Sequence, residues 1–236
     1  MSIYGGPDII TNGLVLCLDA ANSKSYPGSG TIWSDLSGNN NNGTLTNGPI
    51  YNSSNKGSIV FDGIDEYVSF SSTNLGNEIT LMCFVRPSNT FGAGGWLQTI
   101  FSNSAGGGAT NGLRFLYNNF LSDTRNIVIS VGNGTSSGGS SMTTTSKIIY
   151  DSWQHITYVV NKNTNNAKIY YNGKLEVSAT PDVNNYNTNG AFRLGLFTDN
   201  QYPLKGSIAN YMIYTKELSS FQILQNYNAL KGRFGL

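Results

Sequence analysis

Apolar residues in this chain recur at every second position, in short runs closed by Gly, Asn or Pro. That period predicts strands. Leu14–Leu18 is apolar at nearly every position, which predicts a strand covered on both faces. Ser58–Phe61 and Glu66–Phe70 are separated by Asp62-Gly63, a hairpin or bulge signal. Ile79–Val85 alternates and stops at Arg86-Pro87, because proline cannot continue a ladder. Leu97–Phe101, Leu113–Tyr117, Ile127–Val131, Phe192–Leu196 and Ile208–Tyr214 add further strands. Ile156–Val160 and Ala167–Tyr171 predict a hairpin around Asn163, Asn165 and Asn166, and Asn172-Gly173 starts a second tight turn towards Leu175. Gly92–Gly95, Ala105–Gly112 and Gly132–Thr145 read as exposed loops.

One segment near the end breaks the period. Ser219 is a good N-cap, Gln222 completes a capping box, and Leu218 and Ile223 are placed for a hydrophobic staple. Phe221, Leu224, Tyr227 and Leu230 recur every third residue as the apolar face, and Gly232 is placed to end the helix. The pattern predicts an all-β, two-sheet antiparallel jelly-roll sandwich with a short C-terminal α-helix packed against an edge. Turn signals recur evenly, so residues 13–236 form one domain and residues 1–12 a short arm. The arm carries Ile3, Tyr4, Ile9 and Ile10, apolar residues with no partner of their own, and is expected to dock on another protein or to mediate homo-oligomerisation.

Composition narrows the classes. Charged residues make up 11% of the 236, against roughly a quarter in typical domains. The 28 glycines and 12% aromatics fit short strands joined by tight turns. A net charge of +1 with no basic run leaves no electrostatic footprint for nucleic acid or an acidic membrane. No stretch reaches the apolar length of a spanning helix. Met1–Pro7 lacks the basic and apolar regions of a secretory signal, so none is expected. Cys17 and Cys83 sit inside apolar runs and are expected to be buried free thiols.

Five phrases follow one another along the chain. They are Gly13–Ala20; Trp33–Gly38 with Asn42–Leu45; Ile59–Gly63 with Tyr67-Val68; Trp153–Thr157 with Ile169–Gly173; and Gly206–Ala209 leading to Ile213-Tyr214. In this order they resemble the laminin-G-like, concanavalin A-like lectin/glucanase jelly-roll family, over about residues 12–232. The resemblance implies a binding sandwich. The family carries Trp-x-His at Trp153–His155 as part of the sandwich, so a structural histidine is expected there rather than a catalytic one. Where the family has Ile-Asp, this chain has Ile208-Ala209, which weakens any calcium or polar network beside that strand.

Candidate chemistry is sparse. Glycosidases need paired carboxylates, and the jelly-roll glucanases set them as Glu-x-Asp-x-(x)-Glu. The four glutamates here, Glu66, Glu78, Glu176 and Glu217, do not have that spacing, and no enzyme is expected. Relatives of the fold bind calcium at a rim. Asp62, Asp65 and Asp199, with Asn200, form the oxygen set for such a site, although Asp62-Gly63 equally serves only to turn the chain. No cofactor is otherwise implied. Phe91, Trp96, Tyr186 and Tyr202 lie in loop-like sequence and are the aromatic platforms for a carbohydrate. Asn42-Gly43-Thr44 and Asn133-Gly134-Thr135 match a glycosylation pattern that carries no weight without a signal.

A narrower similarity lies at the ends. Gly13–Leu16 to Asp19–Asn22, then Ser25–Thr31 and Trp33, and the closing Gln225–Gly235 are similar to a subgroup found in tailed-bacteriophage virion proteins. That similarity implies a protein made in the host cytoplasm and displayed on the virion surface. The chain has no coiled-coil, β-helix or collagen-like shaft. The expectation is a capsid decoration protein docked on the major capsid protein or on neighbouring decoration subunits. The alternative is a lectin-like adhesin of a head fibre or tail that binds host-surface glycan, with or without calcium.

Overall fold

The computed structural model describes residues 7–71, 74–104, 111–119, 121–132, 140–180 and 192–236. Two eight-stranded antiparallel sheets enclose one apolar core. The first sheet runs β14 (Lys174–Ala179), β13 (Asn166–Tyr171), β12 (Gln154–Asn161), β7 (Glu78–Pro87), β16 (Lys205–Tyr214), β5 (Ser58–Asp62) and β4 (Ile50–Asn52), with β1 (Leu14–Asp19) also paired to β16. The second runs β11 (Ser140–Lys147), β10 (Asn126–Val131), β9 (Leu113–Tyr117), β8 (Gln98–Ser102), β15 (Phe192–Leu194), β6 (Tyr67–Phe70), β3 (Gly43–Thr46) and β2 (Ile32–Trp33). The expected jelly-roll sandwich is what the chain forms.

The strand period explains the core. Leu81, Cys83 and Val85 of β7 point inward with Ile156, Tyr158 and Val160 of β12. Their neighbours Met82, Phe84 and Val159 point outward and are buried too. The cover is helix α1 (Ser220–Leu230). Leu218 and Ile223 pack on Met82, Val159, Tyr170, Met212 and Tyr214. Each such side chain, once buried, contributes about 1.5–3 kcal/mol. That burial outweighs the marginal stability of an 11-residue helix. Ser219 Oγ accepts the Gln222 N–H (3.3 Å) and Gln222 Oε1 accepts the Ser219 N–H (3.0 Å), closing the expected capping box.

Several expectations are corrected. The helix lies across the outer face of the first sheet and also reaches its edge strand β14. Its buried stripe is Ile223, Asn226 and Ala229, while Phe221 is 82% exposed and Leu224 41%. A strict period of three drifts about 60° per step around a helix of 3.6 residues per turn, so Phe221 rotates away from the sheet. Gly232 does not end the helix. The chain tightens into a 3₁₀ turn over Lys231–Phe234 and reaches the left-handed conformation at Gly235. That path carries Arg233 into the fold, where its guanidinium donates to Asp19 Oδ1 (2.7 Å) and to the Gly57 carbonyl (3.0 Å).

Asp62-Gly63 is not a hairpin. β5 pairs with β16 in the first sheet and β6 with β15 and β3 in the second, so the segment is a corner between sheets. Asp62 Oδ1 accepts the Ile64 N–H (2.8 Å), and the buried Glu66 accepts the Asp62 N–H (2.7 Å). Gly63 is required there, since its φ is +82° and an added Cβ would lie 2.8 Å from the Gly92 Cα. Gly132–Thr145 is not all loop. β11 pairs with β10, turning Met142 and Thr144 in and Ser141, Thr143 and Thr145 out. Its polar composition hid a period-2 edge strand of β-branched residues. Residues 105–110 and 133–139 of the expected loops lie outside the described residues.

The arm also differs from expectation. Ile9 and Ile10 pack on the cluster beneath α1 of their own chain. The fully buried Asn226 accepts the Ile10 N–H (2.8 Å), and Tyr214 donates to the Ile10 carbonyl (2.9 Å). These two residues have an intramolecular partner and are not a free docking arm. Ile3 and Tyr4 lie outside the described residues.

Both cysteines are buried and free, on opposite faces of the first sheet. Burial, helped by Asp19 and Asp35, pushes the Cys17 thiol up to about 12, and burial raises Cys83 as well. Glu78 and Glu217 meet at Asn161 Nδ2 (3.4 and 2.6 Å), and Lys168 Nζ reaches Glu217 at 2.6 Å. Burial pushes Glu217 up, but the Lys168 and Asn161 bonds outweigh it and hold the carboxyl below its usual range. The cluster fixes the segment entering α1.

His155 lies under α1 between Phe84 (4.7 Å) and Tyr227 (5.6 Å). It is structural, but not through hydrogen bonds: neither ring nitrogen has a partner among the described residues. Burial holds its pKa at about 3, so the unfolded chain binds a proton that the folded chain refuses. Stability is full above pH 6.5 and is lost as pH falls towards 3. Unfolding free energies should show a His155-dependent loss of about 2 kcal/mol between pH 7 and pH 5, and His155→Phe should abolish that component. A second prediction concerns Arg233, whose side chain is fully buried against a largely buried Asp19. Arg233→Ala should cost roughly 3–5 kcal/mol in urea unfolding; a loss below about 1 kcal/mol would contradict the clasp.

Candidate functional site

The outer face of the second sheet carries a cleft of about 330 Å³, within the range of about 300–1,000 Å³ typical of ligand pockets. Its floor is Arg114 and Leu116 of β9, Val128 and Ser130 of β10, and Ser141 and Thr143 of β11. These residues alternate with the core positions Leu113, Phe115, Ile127, Ile129 and Met142, so the strand period that fills the core also presents the floor. Leu97, Phe197 and Tyr202 form an apolar wall, and Asn118, Asn119, Asn126 and Gln201 add amides at the rim.

The wall is a structured loop. Between β15 and β16, Gly195 N–H bonds Ile100 O (3.1 Å), Phe197 N–H bonds Gln201 O (3.1 Å), and Thr99 N–H bonds Tyr202 O (3.1 Å). The Tyr202 ring meets Phe197 edge-on at 6.0 Å. Gly94 lets a second loop approach, because an added Cβ would lie 2.6 Å from the Tyr202 Cα. Part of the rim is held by the fully buried Asn118, which donates to Trp96 O (3.1 Å) and Tyr150 Oη (2.9 Å) and accepts the Arg125 N–H (2.6 Å). Tyr150 in turn donates to Asp123 Oδ1 (2.5 Å). Burial and that bond raise its phenol well above the usual range.

Arg114 is the charged group of the floor. Its Cζ lies 5.6 Å from the Phe197 ring centroid. Nε and Nη2 have no hydrogen-bond partner among the described residues. Burial disfavours its charge, and the nearby Asp199 opposes that effect. The ladder registers put one row of residues across the sheet: Thr44, Ser69, Arg193, Ser102, Arg114, Ser130 and Ser141. The second arginine is engaged, with Arg193 Nη1 on Asn200 Oδ1 (2.8 Å) and its guanidinium 4.4 Å from the Tyr67 ring centroid.

Of the aromatic residues expected to bind carbohydrate, Tyr202 lines the cleft. Trp96, 39% exposed, stands next to it through Leu97 and Asn118, and Phe91 packs on Trp96 with ring centroids 4.5 Å apart. Tyr186 lies outside the described residues. The expected calcium ligands are not gathered. Asp62 caps its own turn, Asp65 Oδ2 accepts from Asn47 (3.0 Å), and Asp199 Oδ1 accepts the Gln201 N–H (3.2 Å). Among the described residues no three His, Cys, Asp or Glu side chains are grouped to hold a metal.

Arg114, Phe197 and Gln201 were not foreseen from the sequence. The available signal was a charge inside an apolar strand, in Leu113–Tyr117 and again in Phe192–Leu194. A larger cleft of about 490 Å³ on the first sheet is lined by Asn55, Arg86, Asp151, Trp153, Ser207 and Phe234. There Arg86 is already bonded to the Asp151 carbonyl (3.0 Å) and Trp153 to Asn55 (3.0 Å), so fewer groups await a ligand.

A sequence profile of the concanavalin A-like lectin/glucanases superfamily matches residues 62–224. A search of curated proteins found no match. Among solved structures, the fold is similar to the binding domain of Paraclostridial Mosquitocidal Protein 1, with TM-score 0.71 and 16% identity over 93% of this chain and 52% of that one. It is similar to domain 4 of AbnA, a GH43 extracellular arabinanase from Geobacillus stearothermophilus, in complex with arabinotriose. That match has TM-score 0.67 and 18% identity over 91% and 98% of the two chains. It is also similar to the binding domain of botulinum neurotoxin DC in complex with rat synaptotagmin II, with TM-score 0.68 and 16% identity over 94% and 52%. The chain spans about half the length of the two toxin binding domains. At these identities the likeness is one of fold.

The Asn118 clamp is testable. Asn118→Ala removes the bonds to Tyr150 Oη and Trp96 O and leaves alanine at φ +65°, which should cost about 2–3 kcal/mol. Trp33 and Trp153 are buried, so a red shift of fluorescence would report the release of Trp96. An unshifted spectrum with full stability would rule out the clamp.

Proposed function

The chain belongs to the concanavalin A-like lectin/glucanases superfamily, and we propose that it is a non-enzymatic, lectin-like binding module whose cleft on the second sheet takes a surface carbohydrate. The observation that carries this reading is the cleft itself: an apolar and aromatic side, in which Leu116 and Val128 join Leu97, Phe197 and Tyr202, lies beside three hydroxyls and one arginine on the same floor, rimmed by amides. A sugar ring has that same division, with C–H faces and an equator of hydroxyls. The arabinotriose complex of the AbnA domain lends support from a protein of this fold. Hydrolysis needs two carboxylates across a glycosidic bond. No described residue of the cleft is acidic, and Glu66, Glu78, Glu176 and Glu217 are each hydrogen-bonded elsewhere. The reading needs no cofactor.

The similarity of both chain ends to tailed-phage virion proteins supports a place on the virion surface, with host-surface glycan as the target. A second reading, decoration of the head through protein contacts, draws on a different patch. Phe221 (82% exposed), Leu224 (41%) and Leu175 (53%) are apolar side chains where α1 meets the edge strand β14. Such a patch suits a neighbouring capsid protein or a second copy of this chain.

Calorimetric titration with neutral and acidic oligosaccharides, with and without EDTA, tests the first reading. We expect millimolar or tighter binding that is insensitive to EDTA and weakened at least tenfold by Phe197→Ala or Tyr202→Ala, with circular dichroism unchanged. Binding untouched by both substitutions would move the site elsewhere. No sugar binding, together with sedimentation on undecorated phage heads that Phe221→Glu abolishes, would establish the decoration reading instead.

A further inference from the structure

We propose that the cleft selects a sugar bearing a carboxylate, and that Arg114 is the residue that holds that carboxylate. The inference rests on the carbohydrate reading of the cleft and names its ligand class. A guanidinium presents its donors in a planar fork. The edge formed by Nε–H and Nη2–H matches the two oxygens of a carboxylate, a bidentate pairing that a single hydroxyl cannot satisfy. In Arg114 these two nitrogens are the ones without a partner among the described residues. A buried donor left unpaired is costly, and a charged one more so. The Phe197 ring, 5.6 Å from Cζ, compensates only in part.

The surroundings fit the same ligand. Ser130 lies directly opposite Arg114 in the ladder and Ser141 directly opposite Ser130, and both line the cleft. Their short side chains leave room beside the guanidinium and offer hydroxyls to a sugar. The contrast with Arg193 is informative. It lies in the same row two strands away, yet Asn200 and the Phe197 carbonyl accept from its Nη1 and Tyr67 stacks on it. Arg193 is tied down through Nη1, although its Nε has no partner among the described residues, whereas in Arg114 both Nε and Nη2 are without one. Asp199 is the acid whose charge reaches Arg114, and its carboxylate accepts the Gln201 N–H. No carboxylate among the described residues pairs with Nε and Nη2 of Arg114, and a ligand carboxylate takes that place. Nε and Nη2 are buried in the structure, so holding a ligand carboxylate requires the Arg114 side chain to turn from beside Phe197 into the cleft.

The test compares acids with their own esters. The methyl glycosides of glucuronic, galacturonic and N-acetylneuraminic acid, and the methyl ester of each, are titrated against the intact protein by NMR, with neutral oligosaccharides alongside. We expect at least one acid to bind tenfold or more tighter than its ester, with the preference shrinking as salt is raised. Arg114→Gln should reduce the preference below twofold, and Arg114→Lys should keep part of it through charge alone. The wild-type comparison needs no variant, so an unfolded substitution leaves the test intact. Equal binding of acid and ester would overturn the inference while leaving the carbohydrate reading in place. No binding by any acid, ester or neutral sugar would overturn both.

Discussion

Strands β7, β12 and β16 carry apolar side chains on both faces, and a sheet made of such strands cannot leave either face in water. This constraint organises the rest of the molecule. The inner face is closed by the second sheet. The outer face is closed by α1, by the 3₁₀ turn that follows it and by residues 9 and 10. The helix therefore contributes to stability mainly through the surface it covers. Its capping box, its staple and the Asn226 bonds to both arm and sheet hold that cover in register.

The second sheet solves the opposite problem. Its strands are apolar mainly on the inward face, with Leu116 and Val128 as outward exceptions under the cleft wall, so much of its outer side can remain polar and open. Hydrophobic burial fixes the backbone of β9 and β10 from the core side, and the floor of the cleft inherits that rigidity. Arg114 and Ser130 are placed by the packing of Phe115 and Ile129, their neighbours on the inward face. A binding surface carried on strands is positioned more precisely than one carried on loops. Here the loop between β15 and β16 supplies Phe197 and Tyr202 of the wall and the rim amide Gln201.

The sequence made the sandwich legible because strand period, turn residues and helix caps are local signals. The hairpin at Asn172-Gly173 shows this well, with both residues at positive φ as such a turn demands. What was misread depended on partners far away in the chain. Asp62-Gly63 looks like a hairpin until β5 and β6 are seen to join different sheets. Ser140–Lys147 looks like loop because a strand whose outer face stays wet needs few apolar residues. The candidate site was legible in part. Tyr202 and Trp96 stood out as aromatics in loops, but Arg114 became visible only once the ladder set it beside two serines and beneath Phe197. A charge within an apolar strand is a weak signal alone, since the sequence does not say which face it occupies.

Arg233 anchors the last turn of the chain to β1, and Asn226 and Gln225 anchor Ile10 and Asp8 to the helix above the same sheet. Both ends of the described fold thus lie on the covered side of the sandwich. The cleft lies on the other side, beyond two sheets packed about 10 Å apart. A tether or neighbouring body joined at either end would meet the covered face, opposite the cleft. Many copies fixed on one support would all present their clefts outward, and the gain from simultaneous weak contacts would come from geometry alone.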